Sequence, residues 1–152
     1  MVPASPVLRR LTTDEVDQRA PELAALQRAA YQVEADLIGD DRIPPLHETT
    51  NDLVAAGLTW HVLEIDGRCV AALACSMDDG EIDVDRLVVD PERHRSGLGR
   101  MLVAALPTSS PVVVTTGRDN HPARRLYESL GFRHRGDHEV LPDLWVSEYQ
   151  RP

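Results

Sequence analysis

The sequence predicts a single α/β domain built on a mixed, mostly antiparallel sheet. Three observations support this: three successive strand-like segments joined by tight turns, amphipathic helical segments between later strands, and no internal repeat or linker. A chain of 152 residues is long enough to bury a core and is ordinarily one domain. We therefore expect residues 1–152 to form one domain, with about four helices flanking the sheet.

The first part of the chain is expected to be mainly helical after one short strand. Thr12 and Asp14 supply cap chemistry for a helix, and Pro21 predicts that this helix starts or kinks there. Gly39 and Pro44 are breakers that predict irregular structure. In chain order the expected elements are a strand at 7–11, a helix after residue 12, an irregular segment at 31–50 and a short helix from 48 or 49 to 57.

Strands and helices then alternate. Asp66-Gly67 is typical of a hairpin turn, and Asp78-Asp79-Gly80 of a second turn. Ala123 and Leu130 mark the ends of an apolar face with i, i+3, i+4, i+7 spacing. The expected elements are strands at 59–65, 69–77 and 81–89, a helix at 97–106, a strand at 112–116, a helix from 119 or 120 to 131, and strands at 132–140 and 144–149.

Charge and composition exclude several classes of function. The net charge is −9, which argues against nucleic acid as a partner and fits an amine-bearing substrate. All 16 basic residues are arginine, so a catalytic lysine or a P-loop lysine is excluded. No run of about 18 apolar residues predicts a membrane span, and residues 1–6 lack the pattern of a signal peptide, so we expect a cytoplasmic protein. Cys69 and Cys75 are expected to be buried thiols, and no metal-ligand spacing is present, so we expect no metal.

The segment from 86 to 106 has the pattern of a phosphate-binding turn. Pro91 ends a strand, and Gly97 and Gly99 lie at the mouth of the next helix. A helix N-terminus offers unpaired N–H groups and a partial positive charge to an anion. Arg95 and Arg100 add positive charge, so we expect a pyrophosphate to bind here.

Two motifs resemble the GNAT superfamily of acyl-CoA-dependent N-acetyltransferases. Residues 94–99 read His-Arg-Ser-Gly-Leu-Gly, against the family pattern Gln/Arg-x-x-Gly-x-Gly/Ala, so His94 is the one departure. Residues 120–132 are similar to the family's Asn-x-x-Ala-x-x-Leu-Tyr-Glu-x-x-Gly-Phe helix. The resemblance implies a GNAT fold whose fourth and fifth strands splay apart, with acetyl-CoA as co-substrate. It implies that the cofactor-binding residues are Leu87, Val88 and Val89 through their backbone, Arg95, Ser96, Gly97, Leu98, Gly99 and Arg100 around the pyrophosphate, and Asn120 and Tyr127 along the cofactor arm.

Acetyl transfer needs a proton donor for the leaving sulfur, a base for the amine and stabilisation of the oxyanion. Tyr127 is the candidate general acid, since a phenol is protonated at neutral pH; the alternative is a purely structural core aromatic. Asp83 is the candidate general base, acting directly or through water; the alternative is a solvated acidic edge formed with Glu81 and Asp85. A backbone N–H of Val88 or Val89 is the expected oxyanion donor.

The acceptor is expected to be a primary amine of a small molecule or peptide, which attacks acetyl-CoA directly in a ternary complex. Glu34, Asp36, His47 and Glu48 are candidate acceptor-pocket residues or, alternatively, ordinary surface residues. Thr115 stands where similar ribosomal-protein acetyltransferases have an acidic residue, which disfavours a protein N-terminus as substrate. The alternative functions are a non-catalytic acyl-CoA-binding or regulatory module and transfer of a longer acyl group. We expect no nucleic-acid or membrane partner and either a monomer or a homodimer.

Overall fold

The computed structural model describes residues 5–152. Seven strands form one sheet in the order β1-β2-β3-β4-β5-β7-β6. The strands are β1 (Val7–Arg10), β2 (Thr59–Ile65), β3 (Arg68–Asp78), β4 (Glu81–Val89), β5 (Val112–Gly117), β6 (Arg133–Leu141) and β7 (Leu144–Arg151). The helices are α1 (Thr13–Ile38), α2 (Thr50–Ala55), α3 (Leu98–Ala104) and α4 (His121–Ser129), with short 3₁₀ turns at Pro44–His47 and Pro91–Arg93. This is the mixed α/β architecture with four flanking helices that the sequence predicts.

β4 and β5 separate partway along their length. They form the parallel pair of the sheet, and their register covers Ile82 with Val112, Asp83 with Val113 and Val84 with Val114. Beyond Val84, β4 keeps its antiparallel pairing to β3, and β5 keeps its pairing to β7. A wedge-shaped opening results in the middle of the sheet, which confirms the predicted splay.

Helices cover both faces of the sheet. α1 and α2 pack on one face around Trp60 and Val62 of β2, and α3 and α4 pack on the other around Val112 and Val114 of β5. Burial of these apolar side chains on both faces is the main term that stabilises the fold. The opening between β4 and β5 therefore lies between two packed layers.

The sequence predicts that the first helix starts or kinks at Pro21. The helix does not start there, because α1 runs without a break from Thr13 to Ile38. Thr12 caps the helix in a capping box with Glu15, as its sequence indicates. Pro21 removes one helical hydrogen bond, but the buried face continues on both sides of it, through Ala20 and Leu23. The packing of α1 against the sheet therefore stabilises the helix by more than the missing hydrogen bond destabilises it. The prediction of irregular structure at 31–50 is therefore wrong for residues 31–38, which belong to α1.

A β-bulge in β4 changes which face its side chains occupy. Val84 pairs with Cys75 and Arg86 pairs with Ala74, so Asp85 is an extra residue without its own partner on β3. Side chains alternate in a strand, so one inserted residue exchanges the two faces. Ile82 and Val84 accordingly pack with α3 and α4, whereas Val88 packs with α1.

No helix among residues 5–152 is long and apolar enough to cross a membrane.

Candidate active site

A cavity of about 220 Å³ occupies the opening between β4 and β5. Its walls come from α1, the loop after α1, β4, β5, α4 and the β6–β7 hairpin. Tyr127, Asn120 and Leu87 line it, which brings together the motif at 120–132 and the strand that leads into the phosphate-binding turn. The fold therefore places the motif at 120–132 and the end of β4 on the wall of one cavity.

Tyr127 is held rigidly at this cavity by aromatic packing. It is 4% exposed, and its ring centroid lies 5.5 Å from that of Phe132 and 6.1 Å from that of Tyr149. Burial raises the pKa of the Tyr127 hydroxyl above the ordinary value of 10.0, and the negative charge of Glu34 raises it further. The phenol is therefore protonated at neutral pH and has the state that a proton donor requires.

Asn120 ends the loop that leads into α4. Its side-chain oxygen accepts the backbone N–H of Ala123 at 3.2 Å, and Pro122 follows in the first turn. The side chain is thus fixed by helix capping at the cavity wall.

The backbone of β4 beyond the bulge has one unpaired edge. Leu87, Val88 and Val89 pair with Leu73, Ala72 and Ala71 of β3 on one side. Their other edge faces the opening, and no strand of the described chain pairs with it. An extended ligand has access to the N–H and C=O groups of this edge, in the manner of an added strand.

The turn between β4 and α3 has a conformation suited to an anion. Arg95 and Gly97 have positive φ angles of 62° and 80°, and Gly97 caps α3 without a side-chain hydrogen bond. The first N–H groups of α3 are therefore free of an internal partner. Ser96 donates its hydroxyl hydrogen bond to the Arg93 carbonyl, which tightens the turn.

The remaining turn residues divide between the core and the surface. Leu98 is buried and anchors the start of α3, whereas His94 and Arg95 are exposed. Arg100 is exposed and donates to the Ser129 hydroxyl at 2.5 Å, which ties α3 to the end of α4. Positively charged side chains therefore surround the N-terminus of α3, where no side chain bonds to the first N–H groups.

Asp83 lies apart from Tyr127. Its side chain is exposed and does not line the cavity. Partial burial raises the pKa of its carboxyl, and the charges of Asp85 and Glu81 raise it further, followed by those of Glu148 and Asp78. The role of Asp83 as a base stays a prediction, and it requires water between the carboxylate and the cavity.

The four acceptor-pocket candidates occupy different places. Glu34 lines the cavity, whereas Asp36 lies on the outside of α1 and bonds to Gln32. His47 bonds to the Asp41 carbonyl at 2.6 Å, and Glu48 forms an ion pair below the cavity.

Sequence reasoning missed a buried polar network at the base of the cavity. Arg86 is 5% exposed; its guanidinium holds both carboxylate oxygens of Glu48 and donates to the Gln27 side chain at 3.0 Å. Gln27 also donates to the Pro45 carbonyl at 2.8 Å. The signal in the sequence is weak: one arginine within an otherwise apolar half-strand, and one glutamine on the buried face of α1.

Tyr31 was also missed as a site residue. It lines the same cavity as Tyr127, from α1. Burial raises the pKa of its hydroxyl, and Glu34 adds to that shift. Its i, i+3 relation to Glu34 on one helix face is the signal that places the two together.

Among residues 5–152, no group of three or more His, Cys, Asp or Glu side chains is arranged to hold a metal ion.

Comparison with known proteins identifies the family. A family model described as "Acetyltransferase (GNAT) domain" matches residues 56–134, just over half of the chain. UPF0157 protein YqkA of Bacillus subtilis (strain 168) is 30% identical over 118 residues, which cover 75% of this chain and 34% of that protein. N-acetylaspartate synthetase of Rattus norvegicus is 34% identical over 105 residues, which cover 62% of this chain and 35% of that protein. The chain thus spans about a third of the length of these relatives.

The fold agrees with solved structures. The PaiA N-acetyltransferase of Thermoplasma acidophilum, solved in complex with coenzyme A, superposes with a TM-score of 0.74 at 13% identity, covering 95% of this chain and 98% of that one. At 13% identity, this similarity shows a shared fold and says nothing about the substrate. Together with the family match and the cavity at the strand opening, it leads to one conclusion: this chain belongs to the GNAT acetyltransferase family.

Proposed function

We propose that this protein transfers an acetyl group from acetyl-CoA to a primary amine, by direct attack in a ternary complex. The observation that carries the proposal is the cavity where β4 and β5 separate, which has a protonated, buried phenol on its wall. Family membership supports the same reaction. Acetyl-CoA supplies an activated thioester, so no covalent enzyme intermediate is needed.

The residues around the opening fit such a co-substrate. The free edge of Leu87, Val88 and Val89 suits the amide-bearing pantetheine arm. The N–H groups of Ser96, Gly97, Leu98, Gly99 and Arg100, with the side chains of Arg95 and Arg100, suit the pyrophosphate. Asn120 would contact the arm from the start of α4.

The chain's own groups then provide the proton transfers. The Tyr127 hydroxyl donates its proton to the sulfur as the carbon–sulfur bond breaks. A backbone N–H of Val88 or Val89 stabilises the negative charge on the thioester oxygen. Asp83 accepts the amine proton through water, because its carboxylate is exposed and outside the cavity.

The test is calorimetry with acetyl-CoA, followed by measurement of free-thiol release with a panel of amines. The panel includes aspartate because one relative of this chain is an N-acetylaspartate synthetase. We expect micromolar binding of acetyl-CoA and thiol release that depends on one class of amine. Binding without release on any amine would instead support an acyl-CoA-binding or regulatory module. Faster release from propionyl-CoA or longer thioesters would support transfer of a longer acyl group.

A further inference from the structure

Glu34 lies on α1 and lines the cavity beside the C-terminal end of β5. Its Oε1 lies 3.4 Å from the backbone nitrogen of Gly117, which donates to it. A Cβ atom at position 117 would lie 3.4 Å from that oxygen and 3.4 Å from Ile38. A side chain here would therefore be in contact with the carboxylate, which packs closely against the end of β5.

Glu34 is the charged residue of the cavity wall without an ion-pair partner in the described chain. Arg42 pairs with Asp40 at 2.7 Å, and Arg86 pairs with both Glu48 and Asp85. With these partners counted, the carboxylates are Glu34, Asp40, Glu48 and Asp85, and they outnumber the guanidinium groups of Arg42 and Arg86. Each guanidinium is neutralised by a carboxylate partner, so the cavity residues and their ion-pair partners together are net negative, and Glu34 is the carboxylate among them that forms no ion pair in the described chain.

Two aromatic rings line the same cavity. Tyr31, Glu34 and Tyr127 all contribute to its wall, and the charge of Glu34 raises the pKa of both tyrosine hydroxyls. Aromatic faces attract a cation through their quadrupole. A carboxylate that shares a cavity wall with two tyrosines is a suitable receptor for an ammonium group.

A hydrogen bond also joins two segments of the cavity wall. Arg42 donates to the Pro142 carbonyl at 2.9 Å, which joins the loop after α1 to the β6–β7 hairpin. These two segments form facing walls of the cavity. A volume of about 220 Å³ under such a bridge suits a small molecule better than a peptide chain.

We propose that Glu34 binds the protonated amino group of the acceptor as it enters, and that the acceptor is a small primary amine with no carboxylate beside that group. The bound ammonium gives one proton to water before its nitrogen attacks the thioester, and the second proton leaves through the water that leads to Asp83. This assignment rests on the proposed function and specifies its substrate class. A carboxylate on the neighbouring carbon of the substrate would be repelled by the excess of negative charge in the wall. A simple amine brings only the charge that Glu34 compensates.

The first test measures acceptor binding without transfer. Protein saturated with coenzyme A, which carries no acyl group, is titrated by NMR or calorimetry with matched pairs: ethylamine and alanine, cadaverine and lysine, agmatine and arginine. We expect wild-type protein to bind at least one amine about tenfold more tightly than its amino-acid partner. Glu34→Gln should weaken that binding about tenfold or more, because a charge-assisted hydrogen bond is lost.

Asp17→Asn is the matched control, since Asp17 is an exposed carboxylate on the same helix and outside the cavity. It removes the same charge and should leave binding within about twofold of wild type, because exposed charges are strongly screened. Equal binding by Glu34→Gln and wild type would overturn the proposal, as would a wild-type preference for the amino acid of each pair.

The second test measures transfer from acetyl-CoA. Glu34→Gln should raise KM for the amine about tenfold, with a smaller effect on kcat and no change in the Kd of acetyl-CoA. If wild-type protein transfers to no amine, the proposed function fails, while the binding experiment still decides the role of Glu34. If transfer occurs and Glu34→Gln has wild-type KM, the role of Glu34 fails and the proposed function stands.

Discussion

Arg86 and Glu48 form a bidentate ion pair that joins β4 to the segment leading into α2. Arg86 Nη2 lies 2.8 Å from Glu48 Oε2, and Nη1 contacts Oε1. Gln27 of α1 bonds to both partners. One ion pair therefore fixes the relative positions of a strand, a helix and a loop at the base of the cavity.

Glu48→Ala should lower the free energy of unfolding by about 3 kcal/mol. This is the low end of the range for breaking a buried ion pair, because Gln27 and Asp85 still contact the guanidinium. Urea unfolding measures the change. Glu92→Gln, at an exposed carboxylate, should stay within about 0.5 kcal/mol of wild type. A similar small loss for Glu48→Ala would show that the pair does not stabilise the fold.

Tyr127→Phe should lower kcat by about 10²–10³-fold, because it removes the proposed proton donor and keeps the ring packing. Stability should change little, since the Tyr127 hydroxyl forms no hydrogen bond within residues 5–152. Steady-state kinetics and calorimetry with acetyl-CoA measure the two effects.

Tyr149→Phe is the control for that experiment. Its hydroxyl donates to Glu128 and accepts from Arg124, so this variant should lose about 1–2 kcal/mol of stability and keep its kcat at 25 °C. Wild-type kcat in Tyr127→Phe would exclude Tyr127 as the acid.

All three tyrosines should titrate above their ordinary pKa in the folded protein. The chain contains Tyr31, Tyr127 and Tyr149, and burial raises the pKa of each hydroxyl above 10.0. Tyrosinate absorbance should therefore rise near pH 10 in urea-unfolded protein and at higher pH in folded protein.

The same shifts predict loss of stability at alkaline pH. The unfolded chain loses its phenolic protons first, so the folded state binds more protons between the two pKa values. The tyrosine contribution to stability is complete below pH 10 and decreases as the pH rises towards the folded pKa values. Coincident titration curves for folded and unfolded protein would contradict this.

Gly97→Ala and Gly99→Ala should have opposite effects. Gly97 has φ of 80°, so alanine there should destabilise the turn by about 1 kcal/mol or more and weaken acetyl-CoA binding. Gly99 has a helical environment in which a Cβ would lie 3.6 Å from Leu126 and 3.7 Å from Val89, ordinary contact distances. Alanine there should be neutral or stabilise the protein by up to about 1 kcal/mol.

Thermal unfolding with and without acetyl-CoA measures both glycine variants. Wild-type binding by Gly97→Ala would show that the left-handed conformation at this turn is not needed for the co-substrate.

Asp83→Asn tests the proposed base. Partial burial and neighbouring carboxylates raise the pKa of Asp83 above 3.8. In the wild-type protein, the fall of kcat/KM at acidic pH should therefore occur above pH 3.8. The variant should lose about 10²-fold in kcat/KM at neutral pH. Asp79→Asn, in the exposed turn before β4, is the matched control. An unchanged pH profile in Asp83→Asn would assign the acidic limb to another group.

Local sequence signals predicted the elements whose ends depend on neighbouring residues. The cap at Thr12, the helix start near Asn120 with Pro122 in its first turn and the turn at Gly97 all follow from short-range backbone chemistry. The alternation of apolar residues in the strands and the order of elements then indicated the fold. The two motifs, each within a single short segment, indicated the family.

The sequence by itself determined the fold class and the helix that carries Tyr127, because these depend on residues close together in the chain. Phosphate binding at the turn before α3 stays a prediction. The tertiary structure decided which charges face the cavity. The bulge at Asp85 turns Arg86 towards α1, and α1 continues past Pro21 far enough to bring Glu34 to the end of β5. Both outcomes depend on packing between segments distant in sequence, which no local pattern contains.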